Sequence, residues 1–106
     1  MLQFFLRGAM RTDTYWDNHR LKEEIHHHLK TGKYRLTKHA ADEQKNGNLD
    51  LLDTLRVLRT GSHEKAKTRF EDVWRYAIRG KTEDHREVRV IIAFIDEMII
   101  ITVIDL

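Results

Sequence analysis

The last third of the chain, "EVRVIIAFIDEMIIITVI" from Glu87 to Ile104, leaves the least choice of fold. Two runs rich in Ile and Val flank Asp96 and Glu97, and β-branched side chains are stiff and pack well on a pleated surface. The expected structure is an antiparallel hairpin that turns at Asp96 and Glu97. With Ile95 opposite Met98, one face carries Val88, Val90, Ile92 and Phe94 with Ile99, Ile101 and Val103. The other carries Arg89, Ile91, Ala93 and Ile95 with Met98, Ile100, Thr102 and Ile104. The first face is almost wholly apolar and has to be buried. No run in the chain reaches the ~18 apolar residues of a membrane helix, so the partner surface has to come from the domain itself and no membrane is expected.

Upstream segments provide that surface. Leu21, Ile25 and Leu29 recur every four residues between Asn18 and Thr31, with Gly32 as a stop signal, and predict a first helix. "GKY" leads to Thr37, an N-cap for a second helix over "KHAADEQK" that "NGN" closes. Asn48 or Asp50 opens a third, whose stripe is Leu51 or Leu52, Leu55 and Leu58 and whose end is Gly61. After Gly61, "EKAKTRF" and "VWRYAIRG" alternate loosely, as strands do. Helices first and strands second imply an α+β domain, with three helices on one face of an antiparallel sheet of three or four strands.

The strand "VWRYAIRG" puts Trp74, Tyr76 and Ile78 on one side and Arg75, Ala77 and Arg79 on the other. Burying the first side projects Arg75 and Arg79 onto the face that also holds Arg89. A slip of one residue would undo this arrangement. The 106 residues form one domain over 18–106. Residues 1–17 read as an extension, an edge strand or packed arm, whose apolar patch is too short for a secretory signal. Nineteen Lys and Arg against 17 Asp and Glu leave a net charge of only +2, so a nucleic-acid site has to come from local clustering. The absence of cysteine excludes a disulfide framework and a Cys-based zinc site, and suits a reducing cytoplasm.

Four of the seven histidines fall in "EEIHHHLKTGKYRLTKHA". Successive helical side chains point about 100° apart, so His26, His27 and His28 cannot hold one ion together. Glu24 and His28 have the i, i+4 spacing of a ligand pair, but no second pair accompanies them, so neither a metal nor a cofactor is expected. His26 and His27 read as surface residues and His28 as the border of the apolar stripe. His63 and His85 fall in loops. His39 differs, because a position in the first helical turn favours neutral imidazole that can accept a proton. Its other reading is a histidine hydrogen-bonded between the second helix and the sheet, since no orienting carboxylate is evident.

The order "RLTKHAADEQ…GNLDLLDTLRVLRTG…VWRYAIRG…VRVIIAF…MIIITVIDL" resembles a family of small bacterial domains of unknown function. Their pattern is a T-x-H-A helix start, a Leu-rich helix ending in Gly, a strand with Tyr and Arg, and a last strand reading I-T-V. The resemblance spans about residues 19–105, and Thr37, His39, Ala40, Thr102 and Val103 are its most specific points. These domains look related to the RelE-like toxins and are similar in spacing to MqsR-type toxins. That relation implies a RelE-like fold and a cytoplasmic, metal-independent endoribonuclease that cuts mRNA and is held by a cognate antitoxin.

It further implies that Arg75, Arg79 and Lys67 bind RNA phosphate, while His39, Arg89 and Tyr76 form the catalytic set. Tyr76 has a competing role as a core aromatic. The chain departs from MqsR, in which a functional Gln follows the tryptophan of the middle strand; here Arg75 follows Trp74. Arg89 stands where those toxins have a functional Tyr, and the end Ile104, Asp105, Leu106 lacks their basic residue. Arginine stabilises phosphate but is a poor proton shuttle. Binding therefore carries over better than cleavage, and the alternative is a non-catalytic domain of the same fold that contacts RNA or a protein.

Overall fold

The computed structural model describes residues 14–106, and the extension expected over residues 1–17 lies mostly outside the described residues. Helix α1 runs over Asn18–Thr31, capped by the Asp17 carboxylate, which accepts from Arg20 N. Strand β1 is Tyr34–Leu36, helix α2 Lys38–Asn46 and helix α3 Leu51–Thr60. Ser62–His63 form β2, Lys65–Lys67 a 3₁₀ turn and Arg69–Glu71 strand β3. Strands β4 (Val73–Lys81), β5 (Glu87–Ile95) and β6 (Glu97–Asp105) complete the domain.

The class is α+β, as expected, but the sheet is larger than expected and mixed. Its order is β1-β6-β5-β4-β2, with β3 also on β4. The central strands are antiparallel, while Tyr34–Leu36 pair parallel with Met98–Ile100. A strand of three residues is too short to show alternation, so β1 reads from sequence as a mere link.

The hairpin pairs as expected only at its far end. Asp96 alone occupies the tip with φ 67°, a conformation that Asp tolerates. Phe94 therefore lies opposite Met98, and a bulge between Ile91 and Ile92 restores the expected pairing of Val90 with Val103. One extra residue on β6 absorbs the slip. Met98 and Ile100 consequently join Val88, Val90, Ile92, Phe94 and Val103 in the core, and Ile99 pairs with Ala93 instead.

Helix stripes show a similar rotation. On α3 the buried residues are Thr54, Val57 and Leu58, whereas Leu51 and Leu52 are exposed. Thr54 reaches the core because its hydroxyl donates to Gln44 Oε1 at 2.7 Å, which satisfies the buried polar group. On α1, His28 is buried beside Phe94. Its Nδ1 donates to the Glu24 carbonyl at 2.7 Å, which is why a histidine is accepted there. Trp16, ahead of α1, packs in the same core.

Candidate functional site

Alternation along β4 places Trp74, Tyr76 and Ile78 with the core, and hence Arg75, Ala77 and Arg79 on the reverse face. Arg79 pairs directly with Arg89 across β4 and β5, so the three arginines share that face. The sequence reading of one arginine face therefore matches the register.

The face is not free cationic surface, however. Glu64, just after β2, receives two hydrogen bonds from Arg89, Nε to Oε1 at 2.6 Å and Nη2 to Oε2 at 3.1 Å. Arg79 lies 3.5 Å from the same carboxylate and 3.1 Å from Glu87. The bond from Arg89 above all, and the charges of Arg89 and Arg79, hold the Glu64 carboxyl below its usual range. The Arg89 side chain is only 15% exposed. Arg89 thus anchors a fork-shaped pair and is part of the packing of this face. Arg75 is more open, with Nε 3.7 Å from Glu71. Lys67 sits exposed in the 3₁₀ turn at the β4 edge.

Tyr76 and His39 stand elsewhere. Tyr76 is buried on the helix side, stacked on Trp16, and its hydroxyl accepts from Trp16 N at 2.9 Å. Burial pushes its phenol above the ordinary value. Its geometry is that of a core aromatic with a satisfied hydroxyl. His39 is exposed in the first turn of α2, which packs over β6 and β1. The structure brings Arg75, Arg79 and Arg89 together, and separates them from Tyr76 and His39.

Sequence reading missed two acids. Glu43 stands one helical turn beyond His39, with Oε1 3.3 Å from His39 Nε2. The same oxygen accepts from Val103 N at 3.0 Å, which fixes the carboxylate on the sheet. The i, i+4 spacing in "HAADE" was visible; the anchor on β6 was not. Glu64 had no local signal, because its partner Arg89 lies 25 residues downstream.

His63 is another correction, since it is no solvated loop residue. Its Nε2 lies 2.8 Å from Thr68 Oγ1 and its Nδ1 2.7 Å from the Asn18 carboxamide. The Asn18 oxygen can only accept, so Nδ1 donates to it and Nε2 accepts from the Thr68 hydroxyl, which itself accepts from Ala77 N. Burial, helped by Lys65, lowers the imidazole pKa. The ring is a neutral brace between α1 and the segment that follows β2. Among the described residues no group of three His, Cys, Asp or Glu could hold a metal ion. Among them, too, no helix is long and apolar enough to cross a membrane.

A family model described as "Domain of unknown function (DUF4258)" matches residues 36–105. The chain belongs to this family. The DUF4258 match starts at the last residue of β1 and ends at the last residue of β6. It includes His39, Glu43, Glu64, Arg75, Arg79 and Arg89, and leaves α1 outside. Neither a search of curated proteins nor one of solved structures finds a match.

Proposed function

We propose that this DUF4258 domain binds RNA, with the phosphates held on the reverse face of the sheet. The observation that supports it is the shared face of Arg75, Arg79 and Arg89, opposite the three helices. Arg89 commits Nε and Nη2 to Glu64 and so acts as a positioning residue. Phosphate contact falls to Arg75 and Arg79, with Lys67 beside them. Planar guanidinium groups match phosphate oxygens in two-point contacts, and such contacts make affinity fall steeply with salt.

A second reading is favoured by the His39–Glu43 pair. In it the protein is a metal-independent endoribonuclease of RelE or MqsR type, the toxin of a toxin–antitoxin pair, acting on mRNA in the cytoplasm. An imidazole oriented by a fixed carboxylate can take the proton of an RNA 2′-hydroxyl. That oxygen attacks the adjacent phosphate, the bond from phosphorus to the 5′-oxygen breaks as a 2′,3′-cyclic phosphate forms, and the 5′-oxygen takes a proton from solvent water. Because the arginines lie on the other side of the sheet, they would hold flanking phosphates and not the reacting one. A cognate antitoxin would restrain the protein.

Titration of a labelled RNA at several salt concentrations, followed by a cleavage assay, tests both readings. His39→Ala should leave affinity unchanged in either case. In an enzyme that uses His39 it should cost about a hundredfold in cleavage. Arg79→Ala should weaken binding at every sequence and reduce the salt slope by about one. A wild-type protein that neither binds nor cuts RNA would overturn both.

A further inference from the structure

The edge of β4 that lies away from β5 carries three features that the arginine face does not explain. Phe70, in the middle of β3, is 49% exposed although it is a large apolar ring. It packs edge-on against Trp74 with ring centres 5.4 Å apart, and Tyr15, itself 42% exposed, packs edge-on against Trp74 at 4.7 Å. Trp74 is half-buried and rests on the core. Two outward rings are therefore held on a rigid indole.

Charge is concentrated at the same edge. Residues 64–81 hold six Lys and Arg against three Asp and Glu, so this segment exceeds the +2 of the whole chain. Arg69 lies directly opposite Arg75 on β3 and β4. Like charges at opposite positions are destabilising, so the pair costs stability unless an anion sits between them. Glu71 lies on the same face, 3.7 Å from Arg75 Nε, and that buried Nε has no hydrogen-bond partner. Among the described residues, Lys65, Lys67 and Arg69 have no acidic group within ion-pair distance.

Cations on one side of a short hairpin and outward rings on the other suit a chain whose backbone is anionic and whose bases are free to stack. We propose that the β3–β4 hairpin binds single-stranded RNA, with a base stacked on Phe70 and a neighbouring phosphate between Arg69 and Arg75. This rests on the RNA-binding reading above and adds to it the form of RNA recognised. Stacking on an aromatic platform tolerates every base, so the site selects unpaired strands and not a sequence. A duplex, whose bases are already stacked on one another, gains only the charge contacts.

The test uses fluorescence anisotropy with a labelled oligouridine and, separately, with an RNA duplex of the same length. Phe70→Ala should weaken oligouridine binding about tenfold and leave the duplex unchanged, while Phe70→Tyr keeps the wild-type affinity. Arg69→Ala should weaken both and lower the salt slope by about one. If Phe70→Ala binds oligouridine as the wild type does, or if it loses the duplex equally, the stacking site is wrong while RNA binding stands. If the wild type binds neither probe, the proposed function fails together with it.

Discussion

The two lateral edges of the sheet are finished in opposite ways. At the β6 edge, where β1 stops after three residues, helix α2 takes over. Thr37 N donates to the Ile100 carbonyl, the Thr37 hydroxyl donates to the Ile101 carbonyl, and Glu43 accepts from Val103 N. Side chains of one short helix thereby satisfy backbone groups that an edge strand would leave open. At the β4 edge the chain detours instead. Glu64 N donates to the Ala77 carbonyl, Thr68 Oγ1 accepts from Ala77 N, and between them the 3₁₀ turn holds two lysines outward. An unpaired sheet edge invites pairing by another chain. The first edge is sealed, and the second is blunted with charge yet left accessible. The comparison teaches that the two edges differ in access, and that the proposed RNA contacts fall at the accessible one.

Substitutions should separate the two edges by size of effect. The largest belongs to Gly61, where α3 hands over to the β4 edge. A Cβ there would lie 2.5 Å from the Val57 carbonyl oxygen and 2.6 Å from that of Arg79, both backbone atoms that cannot turn away. Gly61→Ala should therefore cost about 3 kcal/mol, read as a lower midpoint in denaturant unfolding. A midpoint equal to the wild type would show that α3 and β2 are not clamped there.

At the sealed edge, Glu43→Ala leaves Val103 N without its acceptor and should cost about 2 kcal/mol. Glu43→Gln keeps an acceptor oxygen and should recover most of that stability. If the two variants unfold alike, the edge is not sealed by this bond.

The Glu64–Arg89 pair comes next. Arg89→Ala should cost about 1–2 kcal/mol, because it leaves a carboxylate with Arg79 alone. The pH dependence follows from the lowered Glu64 pKa. Below the ordinary value of 4.5 the unfolded chain binds a proton that the folded protein does not yet take up. The pair's contribution is thus fully present above that pH and is lost as pH falls through the lower folded pKa. Unfolding midpoints measured from pH 6 downward should show this acid loss in the wild type, and Glu64→Gln should flatten it. A variant that keeps the same slope would assign the loss to other carboxylates.

The smallest effect is expected at the accessible edge. Arg69→Ala removes one of two facing cations and should change stability by less than about 0.5 kcal/mol, in the stabilising direction if at all. A clear loss would mean that Arg69 holds the hairpin together and does not wait for an anion.

Sequence reading succeeds or fails here according to the range of the contact. Asp17, Thr37 and the capping box of Asp50 with Asp53 cap α1, α2 and α3 by bonds between residues three positions apart. Such signals lie within a few residues of each other, so helix existence was legible. Stripe phase was less so, because Leu52 and Thr54 exchange their expected places: Gln44 on another helix supplies the partner that lets a threonine be buried. The arginine face was legible because period two is a property of each strand alone. Its neutralisation by Glu64 was not, and neither was the His39–Glu43–Val103 chain.

The amino-acid order by itself determined the α+β class, the extents of the helices, the terminal hairpin, and the side of the sheet on which Arg75, Arg79 and Arg89 lie. Each of these follows from local periodicity and capping. Only the tertiary structure decided that β1 joins β6 in parallel, that the hairpin slips and recovers through a bulge, and that Glu64 rather than solvent meets Arg89. These depend on which distant groups satisfy one another's hydrogen bonds and charges once the core closes, and no local pattern records that choice.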